Sequence, residues 1–440
     1  MRLSNVLRTN QSSFSIYIHW PYCQSKCTYC NFNKYVNPKD PPYDRLAKAM
    51  ATELNWYLNQ PKYQLQHRRL HSVYFGGGTP SKVLMKYAFI HTIALLGLAK
   101  PSVMATLLET IQRFVHIGHD TEITAEFNPT SVEMTKLRAF RDVGINRLSL
   151  GIQSFDSNDL KILGRDHSGK EALDALLMAK DVFTKERVSF DLIYARPGQT
   201  LEAWRKELKQ ALDIAGDHLS MYQLSLEKST PLHKQTLKRL VPTMPNSDKA
   251  ADMYEETVNM AQEHGFAHYE VSSYARTQKA ISRHNFAYWQ GMDFLGIGPG
   301  AHGRLTDNQQ RIRTFGEFHP EKYMALCEAE GEGIRKCQPI SSQDMMEELI
   351  VFGMRTRMGI PRSRFMSMTN GKNLDDFLDQ EALALFVKAG FLIDESSLTK
   401  DMEHYIPKEL LHEWSQGGIR PTESGLARID SILPRLIKFI

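Results

Sequence analysis

Cysteine is scarce in this chain: five residues in 440. That excludes a disulfide framework and suits a reducing compartment. Long apolar runs are also missing. The best candidate, Tyr87 to Ala99, is 13 residues long and contains His91 and Thr92, whereas a bilayer span needs roughly 20. No integral membrane segment is therefore expected. Charge of one sign is not in excess either: 54 Lys+Arg against 50 Asp+Glu leave a net charge of +4. So mild a balance gives no electrostatic footprint for nucleic acid. No Gly-Lys-Ser/Thr triplet follows a glycine run, which rules out a nucleotide P-loop. Acidic residues are absent before Asp40, while Arg2 and Arg8 are basic. Residues 1–13 thus read as a short segment with the character of a mitochondrial leader. The alternative is an ordinary frayed terminus on a cytoplasmic protein.

What is present reads as an α/β protein. Apolar or β-branched runs at Phe14–His19, Ser72–Phe75, Glu122–Phe127, Arg147–Leu150, Val188–Ile193 and Ser220–Leu226 read as strands. Helical patterns lie between them at Tyr43–Asn59, Val103–Phe114, Ser131–Val143, Lys170–Phe183 and Leu201–Ile214. Strand–helix alternation with buried-type strands predicts a parallel sheet, as a partial (β/α)6 barrel or a doubly wound sheet. Both architectures collect ligands at the C-terminal ends of the strands. The core is expected over 14–245, a handling and linker region over 246–339, and a smaller α+β, winged-helix-like domain over 340–440.

Three of the five cysteines fall together as Cys23-Gln-Ser-Lys-Cys27-Thr-Tyr-Cys30. Three thiolates at this spacing can hold three irons of a 4Fe–4S cubane and leave the fourth iron open to another ligand. Zinc would need a second cysteine pair or histidines to complete its shell, and no second close pair exists. After the second strand comes Phe75-Gly76-Gly77-Gly78-Thr79-Pro80. Glycines there let a ligand approach backbone N–H and C=O groups closely; a sharp turn is the plain alternative. Polar residues mark the later strand ends. Glu126 can accept hydrogen bonds from a hydroxyl or an ammonium, or be merely an exposed charge. Gln153 sits at the fourth strand end. Arg165 can grip a carboxylate with both nitrogens, or form a surface ion pair. Asp191 lies among apolar neighbours, which is costly without a partner and argues for a ligand role.

Taken together, the C-x3-C-x2-C loop and the glycine-rich second strand resemble the radical S-adenosylmethionine (SAM) superfamily, from about Phe14 to Gly303. Within it the chain is similar to the branch holding oxygen-independent coproporphyrinogen III dehydrogenases and the HemW heme chaperones. The resemblance implies a radical SAM barrel whose cluster, on Cys23, Cys27 and Cys30, has SAM at its open iron. It implies SAM contacts at Tyr17, Tyr29, Gly77, Gly78, Thr79, Glu126, Gln153, Arg165 and Asp191. The dehydrogenases resemble C-x3-C-x2-C-x-C, with a longer extension before the first strand; here Phe32 stands at the last cysteine position. The segment His284-Asn-Phe-Ala-Tyr-Trp289 resembles the HemW mark linked to heme binding, which implies His284 as a heme contact. Its alternative is a satisfied polar residue packing the aromatic pair. Cys327 and Cys337 are other candidate axial ligands, with buried structural thiols as the favoured reading. The expected function is a heme chaperone with heme and acceptor hemoproteins, of respiratory type, as partners. The rival is a coproporphyrinogen III dehydrogenase or another tetrapyrrole-modifying radical SAM enzyme. Ser81 to about Gly97 has no counterpart in the resemblance and reads as an insert.

Overall fold

The computed structural model describes residues 13–23, 26–36, 42–77, 101–130, 136–307, 310–399 and 406–438. Gly78, Thr79 and the expected insert Ser81 to Gly97 lie outside the described residues.

Six strands follow one another in parallel: β1 (Ser13–Trp20), β2 (Arg69–Gly77), β3 (Glu122–Phe127), β4 (Arg147–Gln153), β5 (Val188–Tyr194) and β6 (His218–Gln223). They match the six expected strands to within a few residues. Their near-continuous burial, as in β1, is what a sheet covered on both faces demands. Helices fill the connections: α1 (Tyr43–Leu58), α2 (Pro101–Gln112), α3 (Leu137–Asp142), α4 (Ser157–Ile162), α5 (Gly169–Val182) and α6 (Leu201–Ile214). Several begin where local chemistry dictates. Ser168 and Glu171 form a reciprocal capping box on α5, and the Thr200 hydroxyl accepts from Ala203 N–H at the start of α6.

The sheet does not stop at six. After α7 (Pro231–Leu237) and α8 (Ser247–Glu263), two short strands, β7 (Ala267–Glu270) and β8 (Ser273–Ala275), pair antiparallel beyond β6. Helix α9 (Arg283–Trp289) then leads to β9 (Asp293–Ile297), which returns to the far edge and pairs parallel with β1. Strands β10 (His302–Asp307), β11 (Gln310–Gly316) and β12 (Ile334–Pro339) continue antiparallel from it. The order is β12-β11-β10-β9-β1-β2-β3-β4-β5-β6-β8-β7, a single sheet of twelve strands. Residues 267–339 therefore build both flanks of the parallel core. Periodicity alone could not show this, because Asp293–Ile297 is too short to carry a pattern and finds its partner in β1, hundreds of residues earlier.

The C-terminal part has its own core, around Met354, Phe365, Leu392, Ile419 and Leu436. Its three-stranded antiparallel sheet, with Ile360–Pro361, Gly418–Pro421 and Leu392–Glu395 in that order, carries the expected α+β character. No helix among the described residues is long and apolar enough to cross a membrane.

Candidate functional site

The cysteine loop leaves the C-terminal end of β1 and is tied down on three sides. Thr28 donates through its N–H to Leu163 O (3.0 Å) and through its hydroxyl to Ile162 O (2.7 Å). Its own carbonyl accepts from Leu232 N–H of α7 (2.8 Å). On the other side Asn33 donates to Pro299 O (3.2 Å) and Phe318 O (2.9 Å). The glycine-rich turn after β9 makes that approach possible: a Cβ on Gly300 would fall 2.3 Å from the Asn33 amide nitrogen.

The loop opens onto a cavity of about 440 Å³ at the C-terminal ends of the parallel strands. Ligand pockets commonly fall between ~300 and 1,000 Å³, so the space suits a small-molecule cofactor. Nine of the residues expected as ligand contacts line it: Cys23, Cys27, Cys30, Tyr29, Gly77, Glu126, Gln153, Arg165 and Asp191. Residues from Cys23 to Asp191 are thus brought together by the strand order. Among the described residues no three Cys, His, Asp or Glu side chains converge as a single metal ion requires. All three thiols line this one cavity, and three thiolates are the donor set that a cubane with one open iron needs.

The electrostatics of the wall are uneven. Arg165 donates to Cys27 Sγ (3.2 Å), to Asn128 Oδ1 (2.7 Å) and to Gly151 O (2.7 Å). These contacts fix the guanidinium against the sulfur at one side of the cavity. Burial works against the Lys34 ammonium, but the Cys23, Cys30 and Cys27 thiols and Glu126 outweigh it and raise its pKa. Glu126 accepts from Tyr74 OH (2.7 Å) and Gly77 N–H (3.2 Å), yet burial still raises its pKa. Burial, and then repulsion from Glu126, push Asp191 up to about 7, against the hydroxyls of Ser220 and Ser149. A cavity with two strained carboxyls is poised for a ligand that brings positive charge or donors. Lys34, Asn128, Ser149 and Tyr222 also line the cavity. None carried a sequence signal, because none lies in a spaced motif.

Two backbone sites hold unusual conformations. Gln153 has φ +70, at the register shift that ends β4. Gly77 has φ +101, and a Cβ there would fall 2.5 Å from the His19 ring. Gly77→Ala is expected to destabilise the chain by about 1–3 kcal/mol through strain and the clash. A chemical-denaturation midpoint measures it; an unchanged midpoint would refute this account of the glycine.

Tyr17 and His284 sit elsewhere. They line a second space of about 210 Å³, which shares Glu126, Ser149, Asp191 and Tyr222 with the first. Tyr17 OH hydrogen-bonds His19 Nδ1 (3.0 Å). His284 is buried, with Nδ1 on Ser72 Oγ (2.9 Å), Nε2 on Tyr288 OH (2.6 Å) and its ring stacked on Tyr74 at 4.8 Å. Burial lowers its pKa to about 3. Both ring nitrogens are committed, so iron could reach either one only by displacing Ser72 or Tyr288. Trp289, the last residue of that segment, faces Phe352 at 6.2 Å. Phe32 is 64% exposed and lines both spaces.

The family model for the radical SAM superfamily matches residues 17–211. The mouse protein named radical S-adenosyl methionine domain-containing protein 1, mitochondrial, is 36% identical over 427 residues, spanning 96% of this chain and 87% of its own length. The Dictyostelium discoideum protein of the same name is 34% identical over 461 residues, spanning 97% and 94%. The heme chaperone HemW of Escherichia coli (strain K12) is 32% identical over 356 residues, spanning 81% and 86%. Among solved structures, the radical SAM coproporphyrinogen III oxidase HemN from Escherichia coli superposes with a TM-score of 0.73, covering 98% of this chain and 92% of that one at 20% identity. That likeness is one of fold. With full-length relatives above 30% identity, the chain belongs to the radical SAM superfamily, in the family of radical S-adenosyl methionine domain-containing protein 1 and HemW.

Proposed function

We propose that this chain binds heme and passes it to acceptor hemoproteins, and that it carries a SAM-ligated 4Fe–4S cluster. Phe32 is the observation that carries the reading. In the dehydrogenase branch a further cysteine is expected there; here an exposed phenylalanine lines the mouth of the cavity. The name of the bacterial relative, heme chaperone, supports the same direction. Cys23, Cys27 and Cys30 would ligate the cluster. Gly77, Glu126, Gln153, Arg165 and Asp191 would hold SAM, with Tyr29 against it. When bound, that pair of groups supplies a reducing electron and a cleavable sulfonium. This chain's own contribution is placement: Arg165 steadies the Cys27 sulfur, and Glu126 and Asp191 present their carboxyl groups to the same cavity. The same proposal places the chain in mitochondria, following the names of the mouse and Dictyostelium relatives.

The expected result is a saturable heme absorbance on titration of the reconstituted chain, followed by transfer of the heme to an apo-hemoprotein. No conversion of coproporphyrinogen III is expected under anaerobic conditions. Turnover of that substrate would replace this reading with the enzymatic one, and a titration without saturable heme binding would end it.

A further inference from the structure

Strand alternation turns Lys34 into the cavity that the three thiols line. Asn33 Nδ2 and Tyr35 OH both donate to Phe318 O (2.9 and 3.2 Å), so residues 33 and 35 face the same way. Lys34, between them, faces the other way and lines the cavity with Cys23, Cys27, Cys30 and Glu126. Its backbone is fixed on both sides. Asn33 O lies 3.1 Å from His19 Nε2, and Tyr35 N–H donates to Pro21 O (2.8 Å). Tyr35–Val36 then pairs parallel with Tyr22–Cys23, so the lysine rides on a segment tied to the first of the three cysteines.

The two cations of this wall are held differently. Arg165 is fixed by three acceptors, one of them Cys27 Sγ (3.2 Å). Lys34 has no hydrogen bond and no ion pair among the described residues. Its Nζ instead sits 5.4 Å from the centre of the Phe32 ring, which lines the same cavity. Glu126 shares the wall with it but stands beyond ion-pair distance. Taking an ammonium out of water without a partner is costly. What it faces is the thiols. Burial works against the ammonium, yet Cys23, Cys30 and Cys27, and then Glu126, raise its pKa, so the group stays charged at neutral pH. The charge that Lys34 answers is chiefly that of the three cysteines.

Resting on the cluster reading above, we infer that Lys34 is the counter-cation of the 4Fe–4S cluster, and that its charge favours the reduced cluster over the oxidised one. Three thiolates outweigh the charge of an oxidised cubane, so the filled site is anionic. One-electron reduction, by a low-potential reductant such as dithionite, adds a further negative charge. A cation fixed in a poorly hydrated wall is attracted more strongly to the site after that step than before it. Net charge and solvent exposure are among the properties that set cluster potentials, and groups around the ligands are what adjust them. The Phe32 ring beside the ammonium displaces water from that side, which strengthens the attraction. Lys34 thus acts on the electron affinity of the cluster without ligating it.

A redox titration of the reconstituted full chain without SAM, poised with dithionite and read by electron paramagnetic resonance, tests this. Lys34→Gln is expected to hold its full iron and sulfide. Its ratio of reduced to oxidised cluster at a fixed potential should fall on the order of tenfold, which is about 59 mV to the negative for one electron. Lys34→Arg should stay near wild type, and Lys34→Glu should shift further than Lys34→Gln. A folded Lys34→Gln chain that takes up no iron, beside a fully loaded Lys34→Arg chain, would also bear out the counter-charge. The inference is overturned if Lys34→Gln carries a full cluster at the wild-type potential, or if Lys34→Arg departs from wild type as far as Lys34→Gln does. Weakened SAM binding at an unchanged potential would make Lys34 a SAM contact instead. If wild type itself takes up no cluster, the cluster reading falls first, and the iron and sulfide counts show it before any potential is read.

Discussion

Cys27→Ser is expected to leave a folded chain that holds almost no cluster iron or sulfide after anaerobic reconstitution. Three protein thiolates are the minimum for a cubane whose fourth iron takes an external ligand. No other thiol can substitute: Cys327 is buried in the main core and Cys337 lies on the edge strand β12. Cys27 is the instructive member of the three. It is only partly buried, and its sulfur receives the Arg165 guanidinium. The substitution thus removes a ligand without opening a core cavity, and loss of iron separates cleanly from loss of fold. Cys327→Ser is the control. It should keep its iron and lose about 1–2 kcal/mol of stability, as a buried apolar thiol is exchanged for a hydroxyl. Iron, sulfide and the visible charge-transfer absorbance are the measurements. A Cys27→Ser chain with its full complement of iron would contradict the ligand assignment, and stoichiometric zinc in wild type would replace the cluster.

Asp191→Asn is expected to stabilise the SAM-free chain at neutral pH by up to about 4 kcal/mol, while weakening SAM binding. The carboxyl stands at about 7 in the folded chain against an ordinary value of 3.8, first through burial and then through Glu126. The direction follows from proton counts. Below pH 4 the carboxyl is protonated in both states, and Asp191 carries no penalty. Between 4 and 7 the unfolded chain releases the proton and the folded chain keeps it, so stability falls as pH rises. Above 7 the whole penalty is present. The advantage of Asp191→Asn over wild type should therefore grow from pH 4 to pH 7 and then level off. Denaturant midpoints across that range, with SAM affinity by calorimetry, give both halves. A pH-independent difference would refute the account of Asp191 as a strained carboxyl. Weakening of SAM binding alongside the gain in stability would mark a site that stores strain for its ligand.

The cysteine motif and the parallel strands were legible because both are short-range properties. Cys23, Cys27 and Cys30 lie within one turn-sized segment, so spacing alone restricts what they can bind. Strands such as Glu122–Phe127 and Val188–Tyr194 announce themselves by composition and burial. Asp191 was visible for a related reason: one carboxyl inside an apolar strand is a local contradiction. Other features left no local trace. Lys34 matters because it faces three thiols and Glu126. Asp293–Ile297 becomes a strand only because β1 offers it an edge. His284 stands in a conspicuous segment, yet Ser72 and Tyr288 decide what its nitrogens can do.

The amino-acid sequence by itself determined the cofactor class, the α/β architecture and the candidate residues along the strand ends, because each follows from neighbours in the chain. Tertiary structure alone decided which of those residues share a space. It gathered the thiols, Arg165 and Asp191 at one cavity and left Tyr17 and His284 lining a second space that shares part of its wall. The reason is physical. Ligation and charge depend on distances of a few ångströms between residues hundreds of positions apart, and only the packed sheet sets those distances.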